Sequence, residues 1–363
     1  MTNPTYNFCA GPAALPKAVM EKAQQELLNW RNLGISVMEI SHRSAEYQAL
    51  ATTAEANLRK LLNISDDYAI LFLHGGATLQ FSNIPMSLLN ATNEAEYLSN
   101  GMWSGKAAKE ARRYGNVNEI EIVATDSEGR RFVTDSGSWS RSDNPAYTHY
   151  TPNETIEGIR IGGKLPANSP VIADMSSCIL SENIDVNDYA MIYAGAQKNI
   201  GPAGMTIVIV KKAFFEQMNF SQVPRVFNYQ EQAKQGSMIN TPPTYTWYLA
   251  SLVFEWLLEQ GGVAEMEQRA IARAEKLYSY IDADDFYSNP IAIKNRSRMN
   301  IPFILADNGL DGLFLEKAQA ANLVGLKGHR SVGGMRASLY NSMPLEGVDA
   351  LIEFMADFKR KYA

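Results

Sequence analysis

Apolar and polar positions follow two different rhythms along this chain, and the change between them marks out its architecture. Residues 16–31 and 44–62 carry apolar side chains at helical spacing, the first opened by Pro16, the second with Ala49, Thr53, Ala56 and Leu61 near that spacing. Beyond residue 62 the pattern changes to short apolar runs, at 68–73, 119–123, 170–173, 190–194 and 205–210. Segments of helical pattern, such as 79–89 and 104–114, lie between them. Short buried runs alternating with helices predict an α/β fold, a mostly parallel sheet with helices on both faces.

Residues 244–259 form a strongly apolar helix rich in Trp247, Tyr248, Leu252, Phe254 and Trp256, and it stops at Gly261-Gly262. The boundary falls there. Helices at 264–281, 310–321 and 348–362 and strands at 299–305 and 335–340 then predict a smaller α+β C-terminal domain. The expected division is a large domain at 17–260 and a small one made of 1–16 and 261–363. A chain of 363 residues exceeds the size at which one core usually stops growing.

A net charge of −6, with no basic run beyond Lys359-Arg360-Lys361, argues against a nucleic-acid partner. The N-terminus, Met1-Thr2-Asn3-Pro4, has no basic leader, and no apolar run approaches a membrane span, so a cytoplasmic location is expected. Cys9 and Cys178 cannot build a disulfide framework, and the four histidines are scattered, so no metal is expected.

Candidate chemistry sits where strands end. Lys198, in Gly195-Ala196-Gln197-Lys198-Asn199, lies between two apolar strands with small neighbours. An apolar setting lowers a lysine pKa, and a partly neutral amine can form a Schiff base; the bland alternative is a strand-end cap. Asp174 closes the run Val171-Ile172-Ala173, at the strand edge where open α/β sheets bind ligands, though Asp also serves as a helix N-cap. A buried aspartate there could keep a pyridinium nitrogen protonated. His74-Gly75-Gly76-Ala77-Thr78 joins a strand to a helix, and free N–H groups at a helix start attract phosphate. It lacks the GK[ST] of a P-loop.

Trp103 could stack on a flat ring, and Thr155 and the turn Asn240-Thr241 could donate hydrogen bonds; each has an equally plain structural reading. The pairs His42-Arg43 and His329-Arg330, with Arg336 beside Gly333-Gly334, offer guanidinium forks that match carboxylate or phosphate.

Taken together, Phe8-Cys9-Ala10-Gly11-Pro12, Ile40-Ser41-His42-Arg43, His74-Gly75-Gly76, Pro152-Asn153-Glu154-Thr155, Ala194-Gly195-Ala196-Gln197-Lys198-Asn199 and Gly328-His329-Arg330 span essentially the whole chain. This set resembles the phosphoserine aminotransferase family, within the class V group of the fold-type I enzymes that use pyridoxal 5'-phosphate. The resemblance implies that Lys198 is the catalytic, cofactor-bearing lysine, Asp174 the partner of the pyridinium nitrogen and Trp103 the stacking residue. It places Ala77, Thr78 and Gln197 near the cofactor phosphate and Thr155 at the pyridine oxygen. Asn240 and Thr241 would reach the phosphate from the other subunit of a homodimer with shared active sites.

His42, Arg43, His329, Arg330 and Arg336 would bind substrate. Some members carry an arginine where Thr78 stands, which here puts more weight on backbone N–H groups. The implied reaction is reversible amino transfer from L-glutamate to 3-phosphohydroxypyruvate, giving O-phospho-L-serine and 2-oxoglutarate for serine biosynthesis. The phosphorylated four-carbon oxo acid of pyridoxine biosynthesis is a further implied substrate. A cysteine desulfurase is disfavoured because neither cysteine lies on a loop in the second half; an alanine or glyoxylate aminotransferase would not need two His-Arg pairs.

Overall fold

Side chains point alternately to the two faces of a strand, and in the central sheet this alternation builds two separate apolar cores. Strand β1 (Tyr68–His74) sends Ile70 and Phe72 into one core and Ala69, Leu71 and Leu73 into the other. The computed structural model describes residues 4–363; Met1, Thr2 and Asn3, read above for a leader, lie outside them. The remaining strands are β2 (Glu94–Ser99), β3 (Asn116–Glu121), β4 (Thr148–Tyr150), β5 (Val171–Asp174), β6 (Met191–Gly195) and β7 (Met205–Lys211). They pair in the order β1-β7-β6-β5-β4-β2-β3. All neighbours are parallel except those of β7, which runs antiparallel to β6 and β1.

The helices are α1 (Lys17–Glu26), α2 (Ala45–Leu62), α3 (Thr78–Leu88), α4 (Met102–Ala111), α5 (Tyr229–Lys234), α6 (Thr244–Glu259), α7 (Gly262–Ile281), α8 (Asp311–Ala320) and α9 (Leu345–Tyr362). Those on one face of the sheet include α2 and α6, where Trp247 stacks on Phe72 with ring centroids 4.3 Å apart. Phe81 of α3 and Ala107 and Ala108 of α4 fill the other core. A second antiparallel sheet of β8 (Tyr287–Ser288), β9 (Asn300–Leu305) and β10 (Met335–Ser338) shares its own core with α7, α8 and α9. Phe8, beside a short strand at Tyr6–Asn7, joins that C-terminal core. The fold is therefore the α/β arrangement expected, a mixed, mostly parallel seven-stranded sheet with a small C-terminal unit.

Three expectations need correction. The first helix ends at Glu26, not Arg31, because Arg31 and Asn32 take left-handed φ of 50° and 61° around the buried anchor Trp30. In α2 the buried stripe is Tyr47, Leu50, Ala51, Ala54, Leu58, Leu61 and Leu62, while Ala49 and Ala56 face solvent. That stripe carries the larger apolar area, which decides the face turned to the core. The strand expected at 119–123 ends at Glu121, and Val123–Thr125 belongs to a separate hairpin with Arg131–Val133. Among the described residues no helix is long and apolar enough to cross a membrane.

Candidate active site

The strands β1, β2, β4, β5 and β6 end on one edge of the sheet, and the loops that leave them converge on a cavity of about 340 Å³. An open α/β sheet binds its ligands at that edge, because loops diverge there and helix N-termini point inward. Ala77 and Thr78 follow β1, Trp103 follows β2, Thr155 follows β4, Asp174 ends β5, and Gln197 and Lys198 follow β6; all line the cavity. His329 and Arg336 close it from the C-terminal part of the chain.

Lys198 is buried although it carries an amine. Its position is fixed by a tight turn in which the Lys198 and Gly201 N–H groups both donate to the Ala196 carbonyl, at 2.8 Å each. Gly11 lies over its stem, where an added Cβ would stand 3.6 Å from Cγ and Cε. The Nζ donates to Thr155 Oγ1 at 2.6 Å. Burial pulls its pKa from the usual 10.5 to about 8, with Asp174 and Glu154 opposing the shift. The amine is therefore partly neutral near physiological pH, the form that attacks a carbonyl.

Asp174 is buried too, and its Oδ1 accepts from the Ser176 N–H at 2.9 Å and the Ser176 hydroxyl at 2.5 Å. The Ser176 hydroxyl also accepts from the Gly195 N–H, which ties the ends of β5 and β6 together. Burial raises the Asp174 pKa, opposed by the Ser176 bonds and by Lys198. A cationic ring nitrogen brought to this carboxylate would relieve the cost of burying its charge.

Among the described residues, three buried donors on the cavity wall have no partner: the Trp103 indole Nε1, the Arg336 Nε and the Thr151 hydroxyl. Helix α3 begins at Thr78 with no side-chain cap; the Leu79 and Gln80 N–H groups donate to the Gly76 and Ala77 carbonyls, which leaves those of Ala77 and Thr78 for an anion. An amine, a buried carboxylate, an indole and an uncapped helix start around one cavity fit pyridoxal phosphate, with its aldehyde, ring nitrogen, flat ring and phosphate. Arg336 is half-buried, its Nη1 3.3 Å from the Thr155 carbonyl, and burial lowers its pKa. His329 pairs its Nδ1 with the Ser331 hydroxyl at 2.7 Å.

Five candidates lie elsewhere in this chain. Arg43, Arg330 and Thr241 are exposed and line no part of the cavity. Asn240 borders a different cavity with Gln80 and Asn83, and His42 is half-buried with its Nε2 unpartnered. One chain alone therefore does not gather the whole set. The cavity also holds residues that the sequence pattern did not single out. Ser176 braces Asp174, and Lys106 places its Nζ 4.4 Å from the Trp103 ring centre. Glu154, which does not itself line the cavity, binds the start of α4 that carries Trp103. Only its place in the motif Asn153-Glu154-Thr155 hinted at Glu154, since capping partners 50 residues apart leave no local pattern.

The model of the aminotransferase class-V family matches residues 5–351. A phosphoserine aminotransferase of Acinetobacter baumannii is 56% identical over 98% of this chain and 99% of its own, and one of Pseudoalteromonas translucida 51% identical over 98% and 99%. Among solved structures, a phosphoserine aminotransferase of Bacillus circulans subsp. alkalophilus is 40% identical with a TM-score of 0.94, covering 100% of both chains. A pyridoxal-phosphate-bound phosphoserine aminotransferase of Trichomonas vaginalis is 40% identical with a TM-score of 0.92, covering 97% of this chain and 100% of its own. Sequence and fold agree along nearly the full length, and the chain belongs to the phosphoserine aminotransferases of the class-V aminotransferase family.

Proposed function

We propose that this chain is a pyridoxal-phosphate-dependent phosphoserine aminotransferase, moving an amino group reversibly between L-glutamate and 3-phosphohydroxypyruvate. One observation carries the reading: a buried lysine amine with a pKa near 8, sharing a cavity with a buried aspartate and an unpartnered indole, in a chain 56% identical to a curated phosphoserine aminotransferase. The cofactor, when bound, carries the amino group between the two substrates and draws electrons from the substrate Cα.

The protein supplies the rest. Lys198 Nζ would hold the cofactor and would take and return the substrate Cα proton; Thr155 Oγ1, 2.6 Å away, orients it. Asp174 would keep a proton on the ring nitrogen. Trp103 would cover the ring, and Ala77, Thr78 and Gln197 would hold the phosphate with the start of α3. Arg336 forks onto the substrate α-carboxylate. Arg43 and Arg330, with His42 and His329, hold the distal anion.

For Asn240, Thr241, His42 and Arg43 to take part, the protein must be a homodimer whose sites are shared between subunits. We infer as well a cytoplasmic enzyme of serine biosynthesis that also accepts the phosphorylated four-carbon oxo acid of pyridoxine biosynthesis. Its large domain spans 17–260 and its small domain 1–16 with 261–363, a division supported by the separate C-terminal core.

The test is steady-state turnover with glutamate as donor and 3-phosphohydroxypyruvate, pyruvate or glyoxylate as acceptor. The phosphorylated acid should be preferred by roughly 10²-fold or more, the worth of a paired distal anion. Arg43→Ala and Arg330→Ala should each abolish most of that preference, whereas Arg336→Ala should slow all acceptors alike. Equal turnover of pyruvate and the phosphorylated acid would contradict the reading.

A further inference from the structure

A helix leaves its first N–H groups unpaired, and most helices satisfy them with a side chain of their own N-cap residue. Helix α4, which carries Trp103, cannot do this, because its N-cap is Gly101. Two glutamates from the turn after β4 take the place of that cap. Glu154 accepts from the Trp103 N–H at 3.2 Å and from the Ser104 N–H and hydroxyl at 2.8 Å each. Glu157 accepts from the Met102 N–H at 3.1 Å. Both carboxylates press on Gly101, where a Cβ would lie 2.5 Å from Glu157 Oε2 and 2.7 Å from Glu154 Cδ. Glycine is required at that position by contact.

The same turn faces the other way across the cavity. Thr155, between the two glutamates, accepts from Lys198 Nζ, and its carbonyl accepts from Arg336. Two short bridges thus join the ring-covering indole to the amine, through a segment of four residues. Resting on the functional reading above, we propose that Glu154 and Glu157 are positioning residues: their carboxylates fasten the start of α4 to the Thr155 turn and so hold Trp103 over the ring at Lys198.

Both carboxylates are buried, and Glu157 Oε2 has no hydrogen-bond partner. Burial first, then the neighbouring Glu157, raise the Glu154 pKa to about 7; burial also raises that of Glu157. The charged groups around the pair are Lys198, Arg131, His329, Arg336 and Glu121. A carboxyl whose folded pKa lies above its unfolded value adds stability that is complete below about pH 4.5 and lost as the pH rises through about 7. Replacing Glu154 by glutamine removes that loss, so the stability of the variant relative to wild type should grow as the pH rises through this window.

The experiment is a spectral titration of cofactor-free protein with pyridoxal phosphate, with induced circular dichroism recorded on the bound form. Wild-type protein that takes up no cofactor would refute the functional reading itself. Given uptake, Glu154→Gln should weaken cofactor binding about tenfold, because the Trp103 N–H loses its acceptor, and should alter the dichroism. Gly101→Ala should act in the same direction by pushing the two carboxylates away. Glu157→Gln, which keeps an oxygen for the Met102 N–H, should recover much of what Glu157→Ala loses. Wild-type affinity with unchanged dichroism in both Glu154→Gln and Gly101→Ala would overturn the proposal, even if both variants melt at lower temperature.

Discussion

Lys198→Ala is expected to lose amino transfer by roughly 10²–10⁴-fold, the range for removing a positioned general acid and base, while the protein still folds. The reason lies in the burial of the amine. A lysine whose pKa falls from 10.5 to about 8 on folding destabilises the cofactor-free protein below about pH 8, and the cost disappears as the pH rises toward 10.5. Removing the amine relieves on the order of 3 kcal/mol at neutral pH, against the lost packing of its stem beside Gly11. Cofactor-free Lys198→Ala should therefore melt close to the cofactor-free wild type at pH 7 and fall behind it above pH 10. Borohydride should fix cofactor to the wild-type chain and not to the variant. Normal turnover in Lys198→Ala would remove the residue from the mechanism.

Asp174→Ala is expected to slow the half-reaction with glutamate roughly 10²–10³-fold, the usual loss when a buried charge facing a reacting centre is removed. It should also lower stability by about 1–3 kcal/mol, since the Ser176 N–H and hydroxyl lose their shared acceptor. Asp174→Asn separates the two effects: it retains an oxygen for Ser176 but no negative charge for a protonated ring nitrogen. Near-wild-type melting with a slow half-reaction is the expected outcome. An unchanged rate in Asp174→Asn would show that the carboxylate charge does not act on the ring.

Much of the fold could be read from the apolar runs, because β1, β5, β6 and β7 are buried on both faces and stand out as continuous apolar stretches. Helix α6 matched its expected bounds because Pro243 and Gly261 flank it. Strands β2 and β4 escaped notice for a physical reason. Glu96 is fully buried in β2 and pairs with Arg141 at 2.6 Å and the Thr148 hydroxyl of β4 at 3.1 Å, so polar residues interrupt two central strands. In the cavity, Lys198 and Asp174 were legible because each follows or ends an apolar run, and Trp103 because a large aromatic follows Gly101 at a helix start. Glu154 and Glu157 were not singled out, since their partners are set by tertiary contact, and Ser176 was not because its bond to Asp174 two residues back needs no distinctive pattern. The His42-Arg43 pair, Asn240-Thr241 and Arg330 lie outside the cavity of one chain, which no sequence spacing could reveal.

The central claim is that this protein carries an amino group from glutamate to 3-phosphohydroxypyruvate on a cofactor held by Lys198. The most direct measurement is the visible spectrum of the purified, cofactor-loaded protein as substrates are added singly. Glutamate alone should bleach the yellow absorbance stoichiometrically, and 3-phosphohydroxypyruvate alone should then restore it with release of phosphoserine. A spectrum that glutamate leaves unchanged, or that pyruvate restores as readily as the phosphorylated acid, would contradict the account.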